Sequence, residues 1–201
     1  MQNTNSEIVR YIKRNRKGKI FFADEFRKYG GNDAVRQTLS RLCKTKFLIR
    51  LSAGIYLYPE QDKLIGIIYP SIETIAKIIA KREKTRLIPT GAYALNALGL
   101  STQIPARVVF LTDGTARVVR VGKKATVKFQ RTVAKNLSFK GKISSLAIFA
   151  LKEIGKDKVT DEHLQKVKEA LQHEKRENMI YDAHLAPVWI SNILLKLIEN
   201  E

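Results

Sequence analysis

The residues best suited to chemistry are a set of cations, an amide and a hydroxyl at helical spacing: Arg36, Gln37, Ser40, Arg41 and Lys44, followed by Lys46 and Arg50. On a period of about 3.6 residues, Asp33, Gln37, Ser40, Arg41 and Lys44 share one side of a helix, with Arg36 on its flank. Arg offers a forked pair of donors that suits guanine. Gln offers a donor and an acceptor that suit adenine, and Lys and Ser serve phosphate oxygens. Recognition of an ordered polyanion is therefore the chemistry these side chains can perform. A polar side is also what any surface helix shows, so the helix alone discriminates poorly. The residues after it add weight. Runs 47–51 and 55–58 are short and apolar and flank Ser52-Ala53-Gly54, a hairpin signal with glycine in the turn. Lys46 and Arg50 lie where phosphates beside the helix would be touched. Tyr56 and Tyr58 are assigned to packing rather than to bases.

The elements that must position this set are legible around it. Val35, Leu39 and Leu42 form an apolar stripe opposite the polar side, with Cys43 at its edge. Asn32 or Asp33 is expected to cap that helix, after a Gly30-Gly31 turn. Residues 6–15 read as a first helix with Ile8, Tyr11 and Ile12 inward, and 19–22 as a short strand. Asp24 is expected to cap a brief helix over 25–29. This order predicts a winged helix-turn-helix over 1–60. Residues 59–63 read as a linker, and 64–69 as a strand or a buried segment. Helices are expected over 72–82 and 92–98. Strands 107–112 and 115–121 are expected to form a hairpin through Asp113-Gly114, the strongest short turn signal in the chain, with a third strand at 125–131. Helices 146–154, 161–174 and 188–199 follow. The predicted class is α+β: a winged helix, then a mixed domain over 70–201 with a small antiparallel sheet and C-terminal helices.

Charge supports a polyanion partner. Residues 1–59 hold 13 Lys/Arg against 4 Asp/Glu (+9), residues 60–140 hold 15 against 5 (+10), and residues 141–201 hold 9 against 10 (−1), which sums to the net +18. Solubility does not require so one-sided a distribution. Arg107, Arg117, Arg120, Lys123, Lys124, Lys128 and Arg131 form a second basic group on or between the three strands. This group either lengthens a phosphate track or faces an RNA. An RNA-binding or ribonucleoprotein-associated module is accordingly the alternative function.

Signatures of catalysis are absent. The chain has no phosphate-binding Gly-Lys-Ser/Thr loop, no GxSxG and no HExxH. The strands after Asp113 supply no carboxylate for a metal-dependent nuclease. His163, His173 and His184 lack ligand spacing, so no metal, cofactor or enzymatic activity is expected. The single cysteine excludes an internal disulfide. No signal peptide and no membrane span are read, which predicts a cytoplasmic protein.

Three stretches resemble one known family. GKIFFADEFRKYGGNDAVRQTLSRLCKTKFLIRLSAGIYLYP is similar to the N-terminal winged helix of AbiEi-type antitoxins, from abortive-infection type IV toxin–antitoxin systems. TGAYALNALGLSTQIPARVVFLTDG is similar to the start of their second domain, and APVWISNILLKL to their closing helix. The pattern of Gly91, Ala94, Leu95, Leu98, Gly99, Leu100, Gln103 and Pro105 is its more specific part. The resemblance implies a repressor that binds inverted repeats in its own operon's double-stranded DNA. It also implies a non-enzymatic second domain that counters a nucleotidyltransferase-type toxin encoded nearby. The sequence departs from the family at Thr45-Lys46, where a glycine commonly precedes the wing; a helix running on towards the strand is expected there.

Overall fold

The computed structural model describes residues 4–122 and 125–199. It is a mixed α/β chain of two compact units, Met1–Ile78 with Val119–Ala125 and Ile79–Val118 with Thr126–Glu201. The first unit therefore reaches beyond the predicted limit at residue 60. Residues 60–62, inside the expected linker at 59–63, form instead a strand that pairs with residues 66–68, inside the stretch expected as a strand or a buried segment, and both belong to this unit.

The first unit opens with α1 (Thr4–Lys13), β1 (Ile20–Phe22) and a 3-10 helix (Ala23–Tyr29). Next come α2 (Asn32–Lys44), β2 (Ile49–Ser52) and β3 (Ile55–Leu57). The three strands form one antiparallel sheet in the order β1-β3-β2. The core is built by the apolar faces that the sequence periodicity marks. Ile8 and Ile12 of α1 meet Phe21 and Phe26, together with Val35, Leu39 and Leu42 of α2 and Leu48 and Tyr56 of the sheet. Tyr11 lies edge-on to Phe21 and Phe26, at 5.9 Å from each. Glu25, rather than Asp24, closes the start of the 3-10 helix by accepting the Phe22 N–H at 2.8 Å. The unit continues with β4 (Glu60–Asp62) and β5 (Gly66–Ile68), an antiparallel pair of their own, and the first residues of α3 (Ile72–Glu83).

The second unit contains β6 (Leu87–Thr90), α4 (Ala92–Ala97) and β7 (Arg107–Thr112). Strands β8 (Arg117–Val121), whose last three residues are counted with the first unit, and β9 (Ala125–Arg131) complete a four-stranded sheet in the order β6-β7-β9-β8. β6 runs antiparallel to β7, but β7 runs parallel to β9. This corrects the predicted hairpin through Asp113-Gly114, because β9 lies between β7 and β8. The reason is local. Such a hairpin turn needs positive φ at both central residues, and Gly114 is not in that region. Its lack of a side chain serves a close approach instead, since a Cβ there would stand 2.7 Å from Thr85 Cγ2. Asp113 is held by Arg86, through the backbone N–H at 2.8 Å and Nε at 2.9 Å.

Helices α5 (Lys142–Ile154), α6 (Asp161–Leu171), α7 (Arg176–Leu185) and α8 (Val188–Glu199) complete the unit. Ala147, Ile148 and Leu151 of α5 pack with Val167, Leu171, Met179, Ala183, Ile190, Leu194 and Ile198. α5 starts ahead of the predicted position, so Ser144 and Ser145 lie inside it and are buried. Its first turn is closed by carboxylates from later in the chain. Asp182, fully buried, accepts the N–H groups of Lys140 and Gly141, each at 2.8 Å, and the Ser144 hydroxyl. Glu174 accepts the Ile143 N–H at 2.8 Å. Among the described residues no helix is long and apolar enough to cross a membrane.

Candidate nucleic-acid interface

α2 presents its polar side to solvent while Val35, Leu39 and Leu42 hold the other side in the core. Gly31 occupies the cap position without a side-chain bond, and Val35 N–H reaches the Gly31 carbonyl at 3.0 Å. The predicted caps are thus displaced, and Asp33 pairs instead with Arg36 at 3.4 Å. At the other end the helix stops at Lys44. Lys46 takes φ 59°, the left-handed region, and its N–H reaches the Cys43 carbonyl at 3.1 Å. The helix does not run on to the strand, as the missing glycine had suggested. Lys46 adopts the backbone a glycine would supply, and β2 begins three residues later.

The strand brings a second set of residues to the helix. Arg50 of β2 stands opposite Tyr56 of β3. Together with α2 they line a concave surface of about 790 Å³, bounded by Arg36, Gln37, Ser40, Arg41, Cys43, Lys44, Arg50 and Tyr56. Six of the seven predicted contact residues thus share one groove. The seventh, Lys46, is exposed just beyond the helix end and is not among the lining residues. The groove holds four cations and no carboxylate.

The guanidinium groups are only loosely held. Arg41 Nη2 is 3.5 Å from Thr38 Oγ1, and Arg50 Nε is 3.4 Å from the Ser52 carbonyl. The Arg36–Asp33 pair is more than 80% exposed on both sides, so releasing it costs little. These lengths sit at the long limit of hydrogen bonding, leaving donor capacity for a ligand. The floor of the groove differs. Tyr56 is 8% exposed and belongs to the core, as its packing assignment requires. Burial raises the pKa of its phenol, partly offset by Arg50, and burial raises the Cys43 thiol in the same way. Sequence reasoning omitted these two from the site. Both suit packing, and both line the groove, Cys43 from the edge of the apolar stripe of α2 and Tyr56 from β3 opposite Arg50.

The second basic group is divided by strand alternation. Arg107 alternates with buried Val108, and Lys128 lies opposite Val109, so both point to the same face. On β8, Arg120 is exposed between buried Val119 and Val121. Arg117, on the other side of β8, is 20% exposed and ion-paired with Glu83. It is therefore not part of an open cationic surface. Arg131 is exposed at the end of β9. Lys123 and Lys124 lie outside the described residues.

His163 and His184 have local partners. His163 closes a capping box with Thr160 at the start of α6, and His184 Nδ1 lies 2.6 Å from the Ile180 carbonyl. Among the described residues no group of three His, Cys, Asp or Glu side chains converges.

No curated protein matches the sequence. Among solved structures, the chain is similar to the crystal structure of the RV2827C protein from Mycobacterium tuberculosis. The identity is 12% and the TM-score 0.47, over 98% of this chain and 82% of that one. The model of a family of unknown function, DUF6088, matches residues 7–179, and the chain belongs to that family.

Proposed function

We propose that residues 4–57 are a winged helix-turn-helix that binds double-stranded DNA, with α2 in the major groove and β2–β3 as the wing. The observation that carries this reading is the groove. Side chains separated along the sequence, on a helix and a strand, converge on one concave surface with four cations and no carboxylate among its lining residues. Arg36, Gln37 and Arg41 read base edges; Ser40, Lys44, Lys46 and Arg50 hold phosphates. The excess of cations in the first two thirds of the chain supplies the non-specific, salt-dependent part of the affinity.

The likeness to AbiEi-type antitoxins extends the reading to biology. The protein represses its own operon at inverted repeats and acts in the cytoplasm. Its second unit, without catalysis, counters a nucleotidyltransferase-type toxin encoded nearby.

Competition between duplex DNA from upstream of the reading frame, a scrambled duplex and structured RNA tests the first part. Preference for the upstream duplex is expected. Equal displacement by tRNA would favour an RNA-binding role for Arg107, Arg120 and Lys128 instead. Co-expression with an adjacent nucleotidyltransferase reading frame tests the second part, with restored growth as the expected outcome and unrelieved toxicity as the contrary one.

A further inference from the structure

The hairpin β4–β5 displays apolar side chains where a monomer has no use for them. Leu64 is 95% exposed and Ile65 is 77% exposed, both at the tip, and Ile68 of β5 is 38% exposed. The tip is an ordered turn. Asp62 Oδ1 accepts the N–H groups of Leu64 at 2.7 Å and Ile65 at 3.0 Å, and Gly66 supplies a left-handed φ of 79°. The two strands form a sheet with no third strand among the described residues. An isolated two-stranded ribbon is marginal in water, so a further strand or an apolar cover would stabilise it.

The two edges of the ribbon differ. The β4 edge carries Glu60 and Asp62, and charge is a usual guard against edge-to-edge pairing. The β5 edge, Gly66-Ile67-Ile68, carries neither a charge nor a proline. Charge also selects the occupant. Residues 60–68 hold Glu60, Asp62 and Lys63, a net −1, whereas the rest of residues 1–78 holds 14 Lys/Arg against 5 Asp/Glu. At this stretch two strongly basic chains can meet with little local like-charge repulsion. The same carboxylates oppose a phosphate-bearing occupant, whether DNA or an anionic lipid surface.

We propose that β4–β5 is a self-association element through which two copies of the chain pair. The β5 edges run antiparallel about a two-fold axis, and the Leu64/Ile65 tips of both copies are covered. A two-fold contact uses one patch twice, so a single bare edge suffices. The inference uses none of the groove residues and stands independently of the DNA-binding reading.

Sedimentation velocity of the full chain, from low-micromolar to several-hundred-micromolar concentration, tests it. The wild type should move from the mass of one chain to that of two, in the micromolar range that suits a small interface. Leu64→Ser with Ile65→Ser should raise the dissociation constant roughly 100-fold, with an unchanged thermal melt. If that double variant melts early, Ile68→Lys on the bare edge carries the same test. A wild type that stays at the mass of one chain throughout would overturn the proposal. So would a folded double variant that dimerises as the wild type does. Loss of DNA affinity in the variant with no change in mass would also overturn it, and would move the hairpin to the DNA interface.

Discussion

Lys46 holds a backbone conformation that glycine adopts more cheaply. A left-handed φ costs an ordinary residue about 1–2 kcal/mol, while a new glycine loosens the unfolded chain by roughly 0.5–1 kcal/mol. The balance predicts that Lys46→Gly raises stability by about 0.5–1 kcal/mol, readable in thermal or urea melts. The same substitution removes a cation beside the groove and should lower duplex affinity. Opposite movement of stability and binding is the expected signature, and a fall in both would show that Lys46 is not strained. Composition and helical spacing made the groove residues visible in the sequence, because a polar face on a helix is periodic. They did not reveal which cations are engaged. Arg117 and Arg120 look alike in the sequence, yet strand alternation sends Arg117 to Glu83 and leaves Arg120 exposed.

At the scale of elements, the start of α5 depends on two carboxylates that lie some 30 to 40 residues further along the chain. Asp182→Ala would strand two backbone N–H groups and a buried hydroxyl. It is predicted to cost about 3 kcal/mol, measured by urea unfolding. Asp182→Asn should cost less, since its carbonyl still accepts. Glu174 gives a pH dependence. Burial pushes its pKa up, but hydrogen bonds from Ile143, Asn178 and Lys175 outweigh this and hold it below the ordinary value of 4.5. A lowered folded value means the stabilisation is fully present above pH 4.5 and is lost as pH falls through that lowered value. Melting temperature should therefore decline below about pH 4.5, and Glu174→Gln should flatten part of that decline. These contacts also explain what the sequence hid. α7 buries Met179, Asp182 and Ala183, so its inward side includes a carboxylate and no apolar stripe marks it. β6 contains Pro89, which argues against an interior strand, and β6 is at the sheet edge where proline is tolerated. The reverse holds for α2 and for β2–β3. Their inward faces are apolar except for Thr38, and their turn carries a glycine, so local pattern and tertiary packing agree.

At the scale of the whole molecule, the net charge of +18 is concentrated in residues 1–140, and residues 141–201 are nearly neutral. A chain so charged attracts any nucleic acid at low salt, so affinity alone does not establish a function. The decisive quantity is the difference between a specific and a scrambled duplex, measured by fluorescence anisotropy at several salt concentrations. Wild-type protein and Arg41→Ala should be compared on both duplexes. If α2 reads bases, Arg41→Ala loses roughly 1–3 kcal/mol on the specific duplex and little on the scrambled one. Equal affinity of wild type and variant for the specific duplex, at every salt concentration, would contradict the assignment of the α2 groove as the DNA reader.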